Sequence, residues 1–228
     1  MKLSAILLAL SSSTTLACPP PLTGSGEAVA FESGPINQCT LEGGDGLFAA
    51  INAAQFEGSA RCGECLEVTG VAGTAVVKVV ENCGDCAEGD LELAPQAALA
   101  VNGALSGREP VTWRRVACPV DGTLRFQFQG SNPFYLKIQA RDHRYGIASM
   151  AYQQGDDFLP MLRTADNFFT ANTTVPAGLV TVRVQATSGQ FLLQSLGEPE
   201  QVGLIDGDRQ FADCTEPVFE DGFETPTL

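Results

Sequence analysis

Eight cysteines constrain this chain more than any other feature: Cys18, Cys39, Cys62, Cys65, Cys83, Cys86, Cys118 and Cys214. Four of them form two near-identical tetrapeptides, 62-CGEC-65 and 83-CGDC-86, with 17 residues between them. That spacing suits a zinc ribbon, and each CxxC also suits a redox dithiol. The compartment decides among these readings. The chain opens "MKLSAILLALSSSTTLAC", with one early lysine, an apolar run from Leu3 to Leu10 and small residues up to Ala17. This is the pattern of a secretory signal peptide over residues 1–17. The run is less than half of the ~20 apolar residues that a membrane span needs, and no later segment comes closer. In an oxidising compartment an even number of cysteines reads as disulfides. Only His143 is available to help a metal site, and "CLEVTG" after the first pair reads as a strand rather than the helix a redox motif opens. The sequence therefore predicts a secreted protein with structural disulfides, no metal and no cofactor. A lipoprotein anchored through Cys18 is the lesser reading, because Thr15 stands where that cleavage pattern wants an aliphatic residue.

Charge narrows the partners. The net charge is −14 and unevenly placed. Residues 27–123 carry 5 basic and 14 acidic residues, residues 124–197 carry 6 and 4, and residues 198–228 carry 1 and 9. A chain so acidic is a poor partner for nucleic acid or an anionic membrane. A neutral polymer is easier to accommodate.

Strand signals dominate. "AVVKVVEN" and "CLEVTG" are rich in β-branched residues, and "TLRFQFQG" alternates Leu124, Phe126 and Phe128 with polar neighbours. "FYLKIQARDH" and "LVTVRVQAT" do the same. Two short segments read as helix: Gly46 to Phe56, and "APQAALAVNG" with Pro95 in its first turn and Gly103 past its end. Six grouped cysteines, both helices and the strongest acidity precede "CPVDGT"; evenly spaced strands follow it. The chain thus divides into a disulfide-bearing β-rich domain over 24–121, a small all-β sandwich over 123–200 and an acidic tail over 201–228.

Four motifs in order, "CGECLEV", "NCGDCAEGDLELAPQAA", "VTWRRVACPVDG" and "SNPFYLKIQARDHRYGI", resemble the microbial expansins. The resemblance runs from about Gly26 to about Leu196. It implies a mainly β chain: a six-stranded double-psi β-barrel related to one family of endoglucanases, followed by an immunoglobulin-like β-sandwich that binds polysaccharide. It also implies a monomer that loosens plant-type cell walls without hydrolysis, by disrupting non-covalent contacts of cellulose, xyloglucan or another glucan.

Residue by residue, the resemblance carries a groove acid onto Glu92 in "DLELAP" and a second family aspartate onto Glu81 in "VVEN". Both are lengthened by one methylene. Glycoside hydrolysis needs two carboxyl groups, and the family lacks the base position. Asp90 is a further groove carboxylate. The family's hydroxyl-bearing first strand is "AVAF" here, with Val29 and Phe31 replacing hydroxyls and Ser33 keeping one. A family tyrosine is Cys83, which offers no ring. In the second domain, Phe134 and Tyr135 match two adjacent aromatics of a flat sugar-binding row, since sugar C–H faces pack on rings. Asp166 stands where a third aromatic belongs, with Phe168 and Phe169 nearby. Neighbouring strand residues face opposite ways, so one of Phe134 and Tyr135 is buried unless the strand twists or bulges. Trp113 reads as barrel core and His143 as a residue packed between domains. Asn172 in "NTT" matches a glycosylation acceptor only in a eukaryotic export route.

The resemblance also implies the pairs Cys39–Cys62, Cys65–Cys118, Cys83–Cys86 and Cys18–Cys214, one of 105 possible connectivities. Two other functions stay open: a glycoside-cleaving enzyme (endoglucanase or lytic transglycosylase) using Glu92 as acid, and a pure carbohydrate-binding module with a silent groove.

Overall fold

The computed structural model describes residues 18–32, 37–41, 46–174, 178–199 and 203–214. The β-branched and alternating runs form strands, and the first six close into a barrel. They are β1 (Thr23–Ala30), β2 (Phe48–Asn52), β3 (Cys65–Thr69), β4 (Thr74–Cys83), β5 (Leu91–Leu93) and β6 (Glu109–Val116). Their order around the barrel is β1-β5-β2-β4-β3-β6. The pairs β1/β5 and β2/β4 are parallel; the others are antiparallel. Alternation sends Val77, Val79, Leu91, Leu93, Leu66 and Val68 inward, where they pack with Ile51 and Trp113. Trp113 is 3% exposed and donates its indole N–H to the Gly89 carbonyl at 2.8 Å, which satisfies its one polar atom.

One helix reading is corrected. Residues 46–56 form strand β2 followed by a single turn, α1 (Ala53–Phe56). Alanine-rich "FAAIN" has good helix propensity, but it lies between β4 and β5 and bonds to both, so the sheet overrides the local preference. The second helix, α2 (Pro95–Asn102), starts with proline and ends at Gly103 in the left-handed region, as glycine allows.

The second domain is a sandwich of two antiparallel sheets. Its strands are β7 (Arg125–Phe128), β8 (Tyr135–Arg141), β9 (Ile147–Gln154), β10 (Asp157–Pro160), β11 (Leu162–Arg163), β12 (Phe169–Asn172), β13 (Thr181–Ala186), β14 (Phe191–Ser195) and β15 (Gly203–Asp206). One sheet has the order β10-β9-β13-β14 and the other β11-β12-β8-β7-β15. The acidic-tail boundary at residue 201 is therefore corrected. β15 pairs with β7, and Phe211 is fully buried in the sandwich core. An apolar ring and an open sheet edge outweigh the acidic composition of the segment. Residues 215–228 lie outside the described residues, as do residues 1–17, expected to be a signal peptide, and Ser33.

Four disulfides join Cys18–Cys214, Cys39–Cys62, Cys65–Cys118 and Cys83–Cys86, the pairs the resemblance implies. The two domains touch through polar and covalent links. The Gln139 side chain donates to the Cys39 carbonyl at 2.7 Å and the Arg141 guanidinium to the Thr40 carbonyl at 2.8 Å. Cys118 N–H donates to the Arg144 carbonyl at 2.8 Å. His143 is buried against Gly63, whose φ of +77° suits glycine; a Cβ there would lie 2.5 Å from His143 Nε2. Among the described residues no helix is long and apolar enough to cross a membrane.

Candidate functional site

The barrel's outer face over β1, β5, β2 and β4 can be laid out in rows from the strand registers. Ala28, Leu91, Ile51 and Val79 point into the barrel, so their neighbours point out. One outward row runs Val29–Glu92–Ala50–Glu81, because Val29 and Ala50 both pair with Glu92, and Ala50 pairs with Glu81. Strand spacing of about 4.8 Å makes this a row four strands wide.

A β-bulge creates the Glu81 end of that row. Ala49 pairs with Val79 and Ala50 with Glu81, leaving Val80 as the extra residue. Strict alternation from Val79 would aim Glu81 inward beside Ile51. The extra residue turns it to the outer face, as bulges do.

The two glutamates live in different surroundings. Glu81 Oε2 accepts the Gln38 backbone N–H at 2.9 Å, and its Oε1 accepts the Asn82 N–H at 3.0 Å. Among the described residues Glu92 accepts no such bond, and its carboxyl is raised above the usual carboxylate range. Partial burial is the main cause; the charges of Glu81 and Asp85 add to it and Arg108 opposes it. Cys83 and Cys86 place their sulfurs within 4.8 Å of the Glu92 carboxylate and of each other. Those sulfurs are bonded together, so they offer no thiolate to a metal.

A second row lies on one side of the first. Continuing the registers by one pair gives Glu27–Asp90–Asn52–Cys83. Asp90 is engaged within the fold: it accepts the Glu27 N–H at 2.8 Å and pairs with Arg108 at 3.6 Å. Cys83 is buried at the end of β4.

On the sandwich, Phe134 is 70% exposed and Tyr135 half-buried. The expected burial of one of the two does not occur. Phe134 sits in the tight turn from Asn132 to Tyr135, ahead of β8, so alternation does not govern it. Its N–H donates to Asn132 Oδ1 at 2.9 Å. Along β8, Leu136, Ile138 and Ala140 face the core while Tyr135, Lys137, Gln139 and Arg141 face out. Asp166 brings no ring but accepts from Lys137 Nζ at 2.7 Å. Burial alone would raise the Asp166 carboxyl, yet bonds from Lys137 and Thr164 hold it below its usual range. Phe168 and Phe169 are buried.

The segment 37–41 links these two surfaces, a connection the sequence did not signal. Gln38 holds Glu81. Two residues on, Thr40 donates its hydroxyl to the Asp166 carbonyl at 2.5 Å. Cys39–Cys62 and the Cys39 N–H bond to Val80 pin the segment beside the bulge.

Comparison with known proteins fits this geometry. No protein-family model matches the chain. Expansin-YoaJ of Bacillus subtilis is 28% identical over 187 residues, 79% of this chain and 78% of its own. Expansin-like protein 2 of Dictyostelium discoideum is 29% identical over 217 residues; the match covers 86% of this chain and 53% of that protein, so the chain spans about half of its length. The crystal structure of apo Clavibacter michiganensis expansin superposes with a TM-score of 0.78 at 24% identity, over 84% of this chain and 99% of that one. The chain is similar to expansins over most of its length. A mutant of the same Clavibacter protein in complex with cellohexaose has a TM-score of 0.77, again at 24% identity and with the same coverage. In this chain the acids lie on the barrel and Phe134 and Tyr135 on the sandwich.

Proposed function

We propose that this chain is a secreted, non-hydrolytic expansin-like protein. It binds cell-wall polysaccharide, cellulose or an associated glucan, and loosens non-covalent contacts between polymers. The observation that carries this reading is the asymmetry of Glu92 and Glu81. Glycoside cleavage needs one protonated carboxyl and a second one free to activate water or attack. Glu92, with its raised carboxyl, suits the first task. Each Glu81 oxygen accepts one backbone N–H, which fixes the carboxylate in place and makes it a weaker base and nucleophile. The pairing favours binding and orienting a chain over cleaving it. Phe134 and Tyr135 supply apolar ring area for sugar faces on the other domain. The acidity of the barrel favours a neutral polymer over an anionic one.

A pure binding module is the second reading, favoured by Val29 beside Glu92, where a hydroxyl would offer hydrogen bonds. Three measurements on the full chain separate the classes. Creep of a clamped cell-wall strip without sugar release is the expected result. Reducing-sugar release from soluble glucan would overturn it in favour of the enzyme, and binding without creep would favour the module. In a crystalline-cellulose pull-down, Phe134→Ala and Tyr135→Ala are each expected to weaken retention by about fivefold or more, at an unchanged melting temperature for the exposed Phe134.

A further inference from the structure

The third outward row of the barrel carries two aromatic rings that the proposed acid groove does not use. The registers continue from Ala30–Leu93 and Leu93–Ala49 to place Ala94 between Phe31 and Phe48, with Phe48 paired to Lys78 on β4. Phe31 N–H donates to the Leu93 carbonyl and Ala94 N–H to the Phe48 carbonyl, both at 3.0 Å, so the row is hydrogen-bonded across. The rings meet edge-to-face, with centroids 6.3 Å apart and planes at 83°. Neither ring belongs to the barrel core, and both are only half-buried. Two phenylalanines on an outer strand face, held against each other and partly open to water, present apolar ring area on which a sugar C–H face can pack.

We propose that Phe31 and Phe48 form an aromatic subsite for one pyranose ring of a neutral glucan chain that also lies along Glu92 and Glu81. This rests on the reading of the chain as a polysaccharide binder and adds the place where the barrel grips a sugar. Three observations support it. The subsite is two residues along the strands from Glu92, about 6.8 Å and so on the scale of one sugar unit. It lies toward the second domain, because Lys78 at the end of its row lines the pocket shared with Arg141 and His143. A chain passing from the acids toward the sandwich therefore crosses the rings. Finally, perpendicular planes let one ring lie flat on a sugar C–H face while the other braces it by the edge, the arrangement that aromatic pairs prefer. Glu92 beside the rings offers an acceptor for a sugar hydroxyl, and the two carboxylates together repel an anionic polymer.

The test is titration of the full chain with cellohexaose, followed by calorimetry, for the wild type, Phe31→Leu and Phe48→Leu. Leucine keeps apolar volume and removes the ring. About fivefold weaker binding in at least one variant, with the melting transition intact, is expected. Wild-type affinity in both variants, while Tyr135→Ala still weakens binding, would overturn the subsite and leave the proposed function standing. A wild type that binds neither cellohexaose nor crystalline cellulose would overturn both. If the leucine variants do not fold, the ring proton resonances of Phe31 and Phe48 in the wild type decide. Shifts on adding cellohexaose support the subsite, and their absence under saturating sugar refutes it.

Discussion

Glu81 and Glu92 stand in register with one residue, Ala50, from opposite sides of β2. Their places in the sheet are equivalent, but their partners differ. Glu81 is fastened by two N–H donors, whereas Glu92, held by no such donor among the described residues, feels burial and like charge.

Replacing Glu92 tests that difference. Its carboxyl keeps a proton in the folded chain at pH values where an unfolded glutamate, with a pKa of about 4.3, has released it. The folded state then binds more protons than the unfolded one, so stability falls as pH rises through this window and stays lowered above it. Glu92→Gln is expected to remove that decline and to raise the neutral-pH melting temperature slightly. Glu81→Gln is expected to cost about 1 kcal/mol through a lost acceptor. Melting curves across the acid-to-neutral range check both; an unchanged pH profile in Glu92→Gln would refute the assignment.

His143 makes the opposite prediction. Complete burial, with Lys78 adding repulsion, lowers its pKa to about 4. Unfolded histidine, near 6.5, takes up a proton first as pH falls. Stability is therefore fully present above about 6.5 and is lost on the way down to about 4, a loss on the order of 3 kcal/mol. His143→Gln should flatten this segment of the stability curve. Gly63→Ala, which drives a Cβ into the His143 ring from a φ of +77°, should destabilise the domain junction by more than about 1 kcal/mol. Chemical denaturation at several pH values measures both.

The disulfides should rank by the loop they close. In the chain-entropy account, Cys65–Cys118, with a separation of 53, contributes about 4 kcal/mol. Cys83–Cys86, with a separation of 3, contributes roughly 1.5 to 2 kcal/mol. Double serine variants of each pair, compared by melting temperature, should show the larger fall for Cys65/Cys118. Equal falls would mean that the CGDC loop supports the groove beyond closing itself.

Sequence alone carried the local terms. Period-2 runs such as "TLRFQFQG" became strands, the Pro95–Gly103 frame became α2, and an even cysteine count behind a signal-like opening pointed to disulfides, which all eight cysteines form. It also pointed to Glu92, Glu81, Phe134 and Tyr135 through motif resemblance. Tertiary structure decided what depends on neighbours distant in the chain. "FAAIN" is a strand because β4 and β5 flank it, and 203–206 is a strand because β7 had an open edge. Glu81 faces outward because one extra residue, Val80, is accommodated by a bulge opposite Ala49 and Ala50. No periodicity reveals that shift, since a bulge is a property of two strands together. The meeting of Phe31 with Phe48 has the same origin: the residues are 17 positions apart, and only the register of three strands brings their rings to 6.3 Å.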